Sequence, residues 1–155
     1  MSGTNLVSVR QDTRGVAWVT IENAAKLNTL NRATMVALIA AVERLAQDTE
    51  LRAVVLRGGG DRAFIGGADI AALAGLDAAS ARDFITLVHR SCDVLRRLPV
   101  PVIAGIQGWT LGAGLEVAAA CDMRIAASTA RFGMPEVRLG VPSVVEAALL
   151  PGLIG

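Results

Sequence analysis

Gly108-Trp109-Thr110-Leu111-Gly112-Ala113-Gly114-Leu115-Glu116 is the stretch whose reading decides the fold. It follows a fully apolar run at residues 102–106, and its small residues at 112–114 lead straight into an alanine-rich segment ending at Ala120. That order reads as a buried strand, a glycine-rich turn and a helix with a bare N-terminus. The first N–H groups of a helix have no intrahelical acceptor and lie at the positive end of its dipole, so they favour a developing negative oxygen. Close packing of helix on strand also calls for small residues, and one such turn leaves both readings open.

A second turn of the same kind stands earlier, at Ala63-Phe64-Ile65-Gly66-Gly67-Ala68-Asp69-Ile70. Two glycines and an alanine put no bulky side chain in the way, so a ligand atom can approach the backbone, and Asp69 stands where it can cap a helix. A plain capped turn is the alternative. Taken together, two strand-to-helix turns offering one N–H each suggest a two-donor oxyanion hole.

The rest of the chain supplies the alternating frame. Residues 6–10 and 16–22 alternate apolar and polar side chains around Thr13-Arg14-Gly15, which predicts a β-hairpin. Residues 31–48 carry a helical stripe at Met35, Ile39 and Val42, and residues 53–56 form a buried strand closed by Gly58-Gly59-Gly60. Helical spacing resumes over residues 78–98 at Phe84, Val88, Cys92 and Leu95 and stops before Pro99 and Pro101. Strands are expected at 102–106 and 123–127, and helices at 112–120 and 144–150. Strand and helix alternate without a polar linker, so residues 1–155 are expected to form one α/β domain.

Two carboxylates accompany the turns. Glu116 stands on an otherwise apolar helix face, where an acid is costly without a partner or a purpose; pairing with Arg124 or Arg131 is the bland alternative. Glu136 follows twenty residues later in Phe132-Gly133-Met134-Pro135-Glu136, where a solvated loop carboxylate is the alternative. Two carboxylates divide acid and base work when their surroundings separate their pKa values.

Composition narrows the function classes. The 155 residues are 53% hydrophobic and 19% charged, and fifteen basic against fourteen acidic residues leave a net charge of +1. No basic stripe indicates nucleic acid or a membrane surface, and three Phe, two Trp and no Tyr offer no stacking platform. Cys92 and Cys121 lack metal-ligand spacing and read as reduced, buried residues. Residues 1–10 lack a signal-peptide pattern, and the most apolar stretch is broken by Pro101, Gln107 and glycines. These features predict a soluble cytoplasmic protein. His89, the only histidine, reads as a helix-surface residue, and no metal site is expected.

The combined motifs resemble the N-terminal catalytic part of the enoyl-CoA hydratase/isomerase (crotonase) superfamily. The resemblance rests on Asn23-Ala24-Ala25-Lys26-Leu27-Asn28-Thr29-Leu30, the G-G-A-D-I and L-G-A-G-L-E turns, residues 121–126, and F-G-x-P-E-x-x-L-G at 132–140, in family order. It implies a spiral of repeated β-β-α units, the fold shared with Clp-type proteases. It implies that the N–H groups of Ala68 and Ala113 hold a thioester oxygen, with Glu116 and Glu136 as the catalytic pair that adds water to a 2-enoyl-CoA. Ala25, Lys26, Leu27, Gly66, Asp69 and Ile70 match segments lining the CoA thioester arm, and Gly112 and Pro135 complete the expected substrate contacts. Coenzyme A then enters as part of the acyl-CoA substrate, with no separate cofactor and no metal, in a homo-oligomer (trimer or hexamer) when the C-terminal region is present.

Departures from the family pattern qualify these expectations. Ala113 stands where many hydratases have glycine, Gln107 replaces a commoner asparagine, and residues 141–146 replace a proline and a glycine-rich run. Glu146 is expected to be a surface helix carboxylate, with a third acid facing the pocket as the alternative. The family's C-terminal helical region is absent after Gly155, which implies a truncated chain with open apolar surface. Hydratase is the leading reading; isomerase, thioester hydrolase and a non-catalytic truncated subunit are the alternatives.

Overall fold

The computed structural model describes residues 6–143 and 145–155. The chain enters through a hairpin of β1 (Val7–Gln11) and β2 (Val16–Ile21), turned at Asp12–Gly15 with Gly15 at φ +79°. Asp12 organises that turn by accepting the N–H groups of Arg14 and Val16 and pairing with the Arg14 guanidinium at 2.6 Å. Helix α1 (Arg32–Leu45) follows, capped by the Asn31 side chain, which accepts the Thr34 N–H at 2.9 Å. Its buried face repeats at Met35, Leu38, Ile39, Val42 and Leu45, the spacing of one helical stripe.

From here two sheets are built in alternation. Strand β3 (Ala53–Gly58) joins the first sheet and β4 (Ala63–Ile65) starts the second, followed by α2 (Ile70–Leu73) and α3 (Ala78–Arg96). The cycle repeats with β5 (Val102–Ile106), β6 (Trp109–Leu111) and α4 (Ala113–Ala120). A third cycle brings β7 (Met123–Ala126) and β8 (Arg131–Gly133), then a 3₁₀ turn at Pro135–Leu139. The result is the β-β-α spiral. Its large sheet has the order β1-β2-β3-β5-β7, parallel except for the β1–β2 hairpin, and its small sheet is β4-β6-β8, all parallel.

The core lies between the large sheet and helices α1, α3 and α4. Val19, Ile21, Val54, Leu56, Val102 and Ala104 are fully buried, as central parallel strands covered by helices require. A capping box starts α3: Asp77 accepts the Ser80 N–H at 2.8 Å, and Ser80 Oγ accepts the Asp77 N–H at 2.9 Å. Cys92 and Cys121 are free and buried, and burial pushes the Cys121 thiol up to about 12 and Cys92 higher still. At the far edge of the large sheet β7 is exposed along its length, leaving Met123 and Ile125 open, and Phe132 on β8 of the small sheet is exposed too. No helix among the described residues is long and apolar enough to cross a membrane.

Two expectations are corrected. The stretches at 63–65, 109–111 and 131–133, which by residue pattern read as turn or loop, are strands of a second sheet, the second strand of each β-β-α unit that the resemblance implied; three residues are too few to show a period. The helix expected at 144–150 is instead a 3₁₀ turn at Ala147–Leu149 followed by α5 (Leu150–Ile154), with Pro151 in its first turn; Val144 lies outside the described residues. Residues 1–5 of the signal-peptide reading lie outside them too.

Candidate active site

The three strands of the small sheet end side by side, and each delivers the chain to one part of a single cleft. Parallel neighbours lie about 4.8 Å apart, so turns leaving the same ends must face each other. Ligands in parallel sheets gather at these carboxyl ends. After β4 come Gly66, Gly67 and Ala68; after β6, Gly112, Ala113 and Glu116; after β8, Pro135 and Glu136. All of them line one cleft of about 130 Å³.

The first turn is held by the segment before α1. The Gly66 N–H donates to the Leu27 carbonyl, the Leu30 N–H to the Gly67 carbonyl and the Asp69 N–H to the Leu30 carbonyl, each at 2.8 Å. This ladder passes over the Ala68 N–H, which finds no acceptor among the described residues. Asn28 stiffens the arrangement from inside: it is fully buried and donates to the Gly59 and Ala63 carbonyls at 3.0 and 2.9 Å. Asp69 caps α2 by accepting the Ala71 N–H at 3.0 Å, and Lys26 Nζ stands 3.9 Å from its carboxylate. Ala25, Lys26, Leu27 and Asp69 therefore flank the turn and do not line the cleft itself, whereas Gly66 and Ile70 do.

The second turn depends on Gly112. Its φ of +51° disfavours any side chain, and a Cβ there would fall 2.3 Å from Glu136 Oε1. Its N–H donates to the Gly133 carbonyl at 2.9 Å, which ties the β6 turn to β8. Gly114 seats α4 on β4, since a Cβ would meet the Ile65 carbonyl oxygen at 2.2 Å. Ala113 opens α4, and its N–H also has no acceptor among the described residues.

The two glutamates reach the cleft from different turns. Glu116 is 4% exposed and forms no pair with Arg124 or Arg131, whose guanidinium groups donate to backbone carbonyls. Its Oε1 accepts the N–H groups of Glu146 and Ala147 at 3.1 and 2.9 Å. Burial raises the Glu116 pKa above the usual carboxylate range; those two N–H groups oppose the rise, and the neighbouring Glu136 and Glu146 charges add to it. Glu136 is half-buried, and its Oε2 is buried without a hydrogen-bond partner among the described residues. A buried carboxylate oxygen left unpaired is uncommon and points to a ligand.

Two further walls complete the cleft; the segment after Gly140 was expected near the acyl group from the resemblance, and the α3 wall was not foreseen from the sequence. Phe84, Ile85 and Val88 of α3 form an apolar wall, and Val141, Pro142, Ser143 and Val145 close another side. The stripe on α3 was visible, but nothing in it says which part faces a cleft. Glu146, expected at the surface, is 7% exposed and bonded to His89. Its partner lies 57 residues away in sequence, beyond any local pattern. Gln107 secures the loop after β3 by donating to the Gly58 and Gly60 carbonyls at 2.9 and 3.1 Å. Among the described residues no three His, Cys, Asp or Glu side chains come together as a metal-ligand set.

A cleft with bare turn amides and two acids, at the strand ends of a β-β-α spiral, defines a class that comparison with known proteins makes specific. The chain belongs to the enoyl-CoA hydratase/isomerase family, whose profile matches residues 11–155. It is 36% identical over 156 aligned positions to a crotonyl-CoA hydratase of Syntrophomonas wolfei, covering 100% of this chain and 59% of that protein. It is 41% identical over 141 positions to a short-chain-enoyl-CoA hydratase of Clostridium acetobutylicum, covering 90% and 54%. The crystal structure of an enoyl-CoA hydratase from Bacillus anthracis superposes with a TM-score of 0.92 at 33% identity, over 97% of this chain and 58% of that one. The fold is the crotonase fold, and the chain spans less than two thirds of the length of these relatives.

Proposed function

We propose that the chain carries the site of an enoyl-CoA hydratase, which adds water to the double bond of a 2-enoyl-CoA to give a 3-hydroxyacyl-CoA. The observation that carries the reading is the unpaired Glu136 Oε2, in a cleft that also holds Glu116 and the Ala68 and Ala113 amides. In this reaction the Ala68 and Ala113 N–H groups bind the thioester carbonyl oxygen. As water attacks the β-carbon, charge moves onto that oxygen, and each fixed donor is worth roughly 10²–10³ in rate. The glutamates hold the water: one carboxylate takes its proton while the other carboxyl delivers a proton to the α-carbon, so the elements of water are added in full. This acid–base work is worth about 10²–10⁴.

The acyl group lies against the apolar wall of α3, and Ala25, Lys26, Leu27 and Asp69 flank the arm that leads to coenzyme A. Coenzyme A enters with the substrate, and the reaction calls for no metal or redox cofactor. Two free, buried cysteines agree with a reducing cytoplasmic location. The exposed Met123, Ile125 and Phe132 support assembly as a homo-oligomer, trimeric or hexameric.

Incubation with crotonyl-CoA in ¹⁸O-labelled water tests the proposal. Loss of enoyl absorbance with one labelled oxygen in a 3-hydroxybutyryl-CoA product is expected. A moved double bond without label would replace hydratase by isomerase, and free coenzyme A would replace it by thioester hydrolase.

A further inference from the structure

Glu146 is a buried carboxylate that the hydration chemistry does not use. It stands between Val145, which lines the cleft, and the turn at Ala147–Leu149. Its Oε1 meets Nδ1 of His89 at 2.5 Å, and the histidine side chain is 56% exposed on the outside of α3. Its own N–H, together with that of Ala147, holds Glu116 Oε1. With Oε1 occupied twice, Oε2 is the Glu116 atom left for a ligand.

The grip on Glu116 uses backbone N–H groups alone, and any residue at position 146 could supply its share. A buried acid there costs desolvation energy and calls for another reason. The reason lies in the histidine: the pair pins residues 145–147 to α3, the helix that also walls the cleft with Phe84, Ile85 and Val88. The ionisable groups acting on this patch are His89, Cys92 and Arg96 from α3, Glu116 from α4 and Glu136 from the turn after β8. Cys92 stays neutral, because burial and the two glutamates push its thiol far up. The charge beside Glu116 is therefore set mainly by Glu136 and by Glu146, whose carboxylate is held in turn by the His89 ring.

We propose that Glu146 is a positioning residue for Glu116, one link in a chain from the exposed His89 imidazole through the Glu146 carboxylate and backbone to the cleft. The role in turnover rests on the hydratase reading above; the coupling between the three residues does not. Titration of the Glu116 side-chain carboxyl carbon by ¹³C NMR measures that coupling in wild type, E146Q and H89Q. Removing the Glu146 charge should move the Glu116 midpoint down, towards the ordinary carboxylate range. Removing the His89 ring leaves the Glu146 carboxylate without its hydrogen-bond partner and should move that midpoint up. Opposite directions are the signature, since loosened packing would send both variants the same way. An unchanged midpoint, or shifts of one sign, would overturn the proposal; H89Q alters an exposed side chain and tests it even where E146Q fails to fold.

Kinetics on crotonyl-CoA supply the second readout. E146Q should lower kcat about tenfold or more, as small misplacements of catalytic groups do, with KM little changed. The double variant E116Q/E146Q should be no slower than E116Q. A folded E146Q with wild-type kcat would overturn the positioning role. Absence of turnover in the wild-type chain would remove the hydratase reading and leave the NMR result to decide the coupling.

Discussion

The two sheets divide the work of this chain unequally. The large sheet is five strands wide, and Val19, Ile21, Val54, Leu56, Val102 and Ala104 on its central strands are fully buried. The small sheet has three strands of three residues each; Phe64 and Ile65 of β4 join the core, and each carboxyl end of the sheet supplies part of the cleft. Of the two, the large sheet thus contributes most of the buried area, and the turns that leave the small one form the cleft. The difference teaches where sequence changes should be felt: in the large sheet as lost folding free energy, in the turns of the small sheet as lost geometry.

Substituting the turn glycine should break the small sheet's part most sharply. G112A puts a Cβ against Glu136 at a positive φ, so activity on crotonyl-CoA should fall by about 10²-fold. The strain should also cost about 1–3 kcal/mol in stability. G75A, where a Cβ meets nothing within 4 Å, should change neither, as chemical denaturation and kinetics would show. Equal effects of the two substitutions would erase the distinction between turn and surface.

The large sheet should answer in the opposite way. Leu56 is fully buried, and L56A should cost about 2–5 kcal/mol in denaturant unfolding. Turnover per folded molecule should stay close to wild type. A kcat loss out of proportion to the unfolded fraction would mean that the large sheet shapes the cleft directly.

A smaller effect should appear at the seam between the two regions. Because the Glu116 pKa is raised on folding, the folded chain holds that proton more tightly than the unfolded one. Its contribution to stability is greatest below the unfolded carboxylate pKa and is lost as pH rises through the folded value. E116Q keeps an oxygen for the Glu146 and Ala147 N–H groups and removes the buried charge. Its thermal midpoint near pH 8 should therefore rise by a few degrees, with no gain near pH 4. A lower midpoint near pH 8 would show that the carboxylate charge stabilises the fold.

The same division explains what the sequence made legible. The hairpin, α1, α3 and the strands β3 and β5 show through strong periodicity or unbroken apolar runs, because burial of a whole face imposes both. The two glycine-rich turns and Glu116 stand out because bare backbone and a buried acid are out of place in such runs, whereas Ala68, Ala113 and the pairing of Glu116 with Glu136 came from the family resemblance; all four residues line one cleft. The small sheet was hidden, since three residues beside a glycine carry no period. Glu146 was misjudged because an acid near a helical segment resembles any surface carboxylate until its histidine partner, a distant neighbour in sequence, is placed beside it.

The most direct measurement is the rate of crotonyl-CoA hydration by the wild-type chain beside E116Q and E136Q, with folding checked for each. If the carboxyl ends of the small sheet form the working site, the wild type turns over and each variant loses about 10²-fold or more in kcat. A variant that hydrates as fast as wild type, or a folded wild-type chain that binds the thioester and leaves it unchanged, would contradict it.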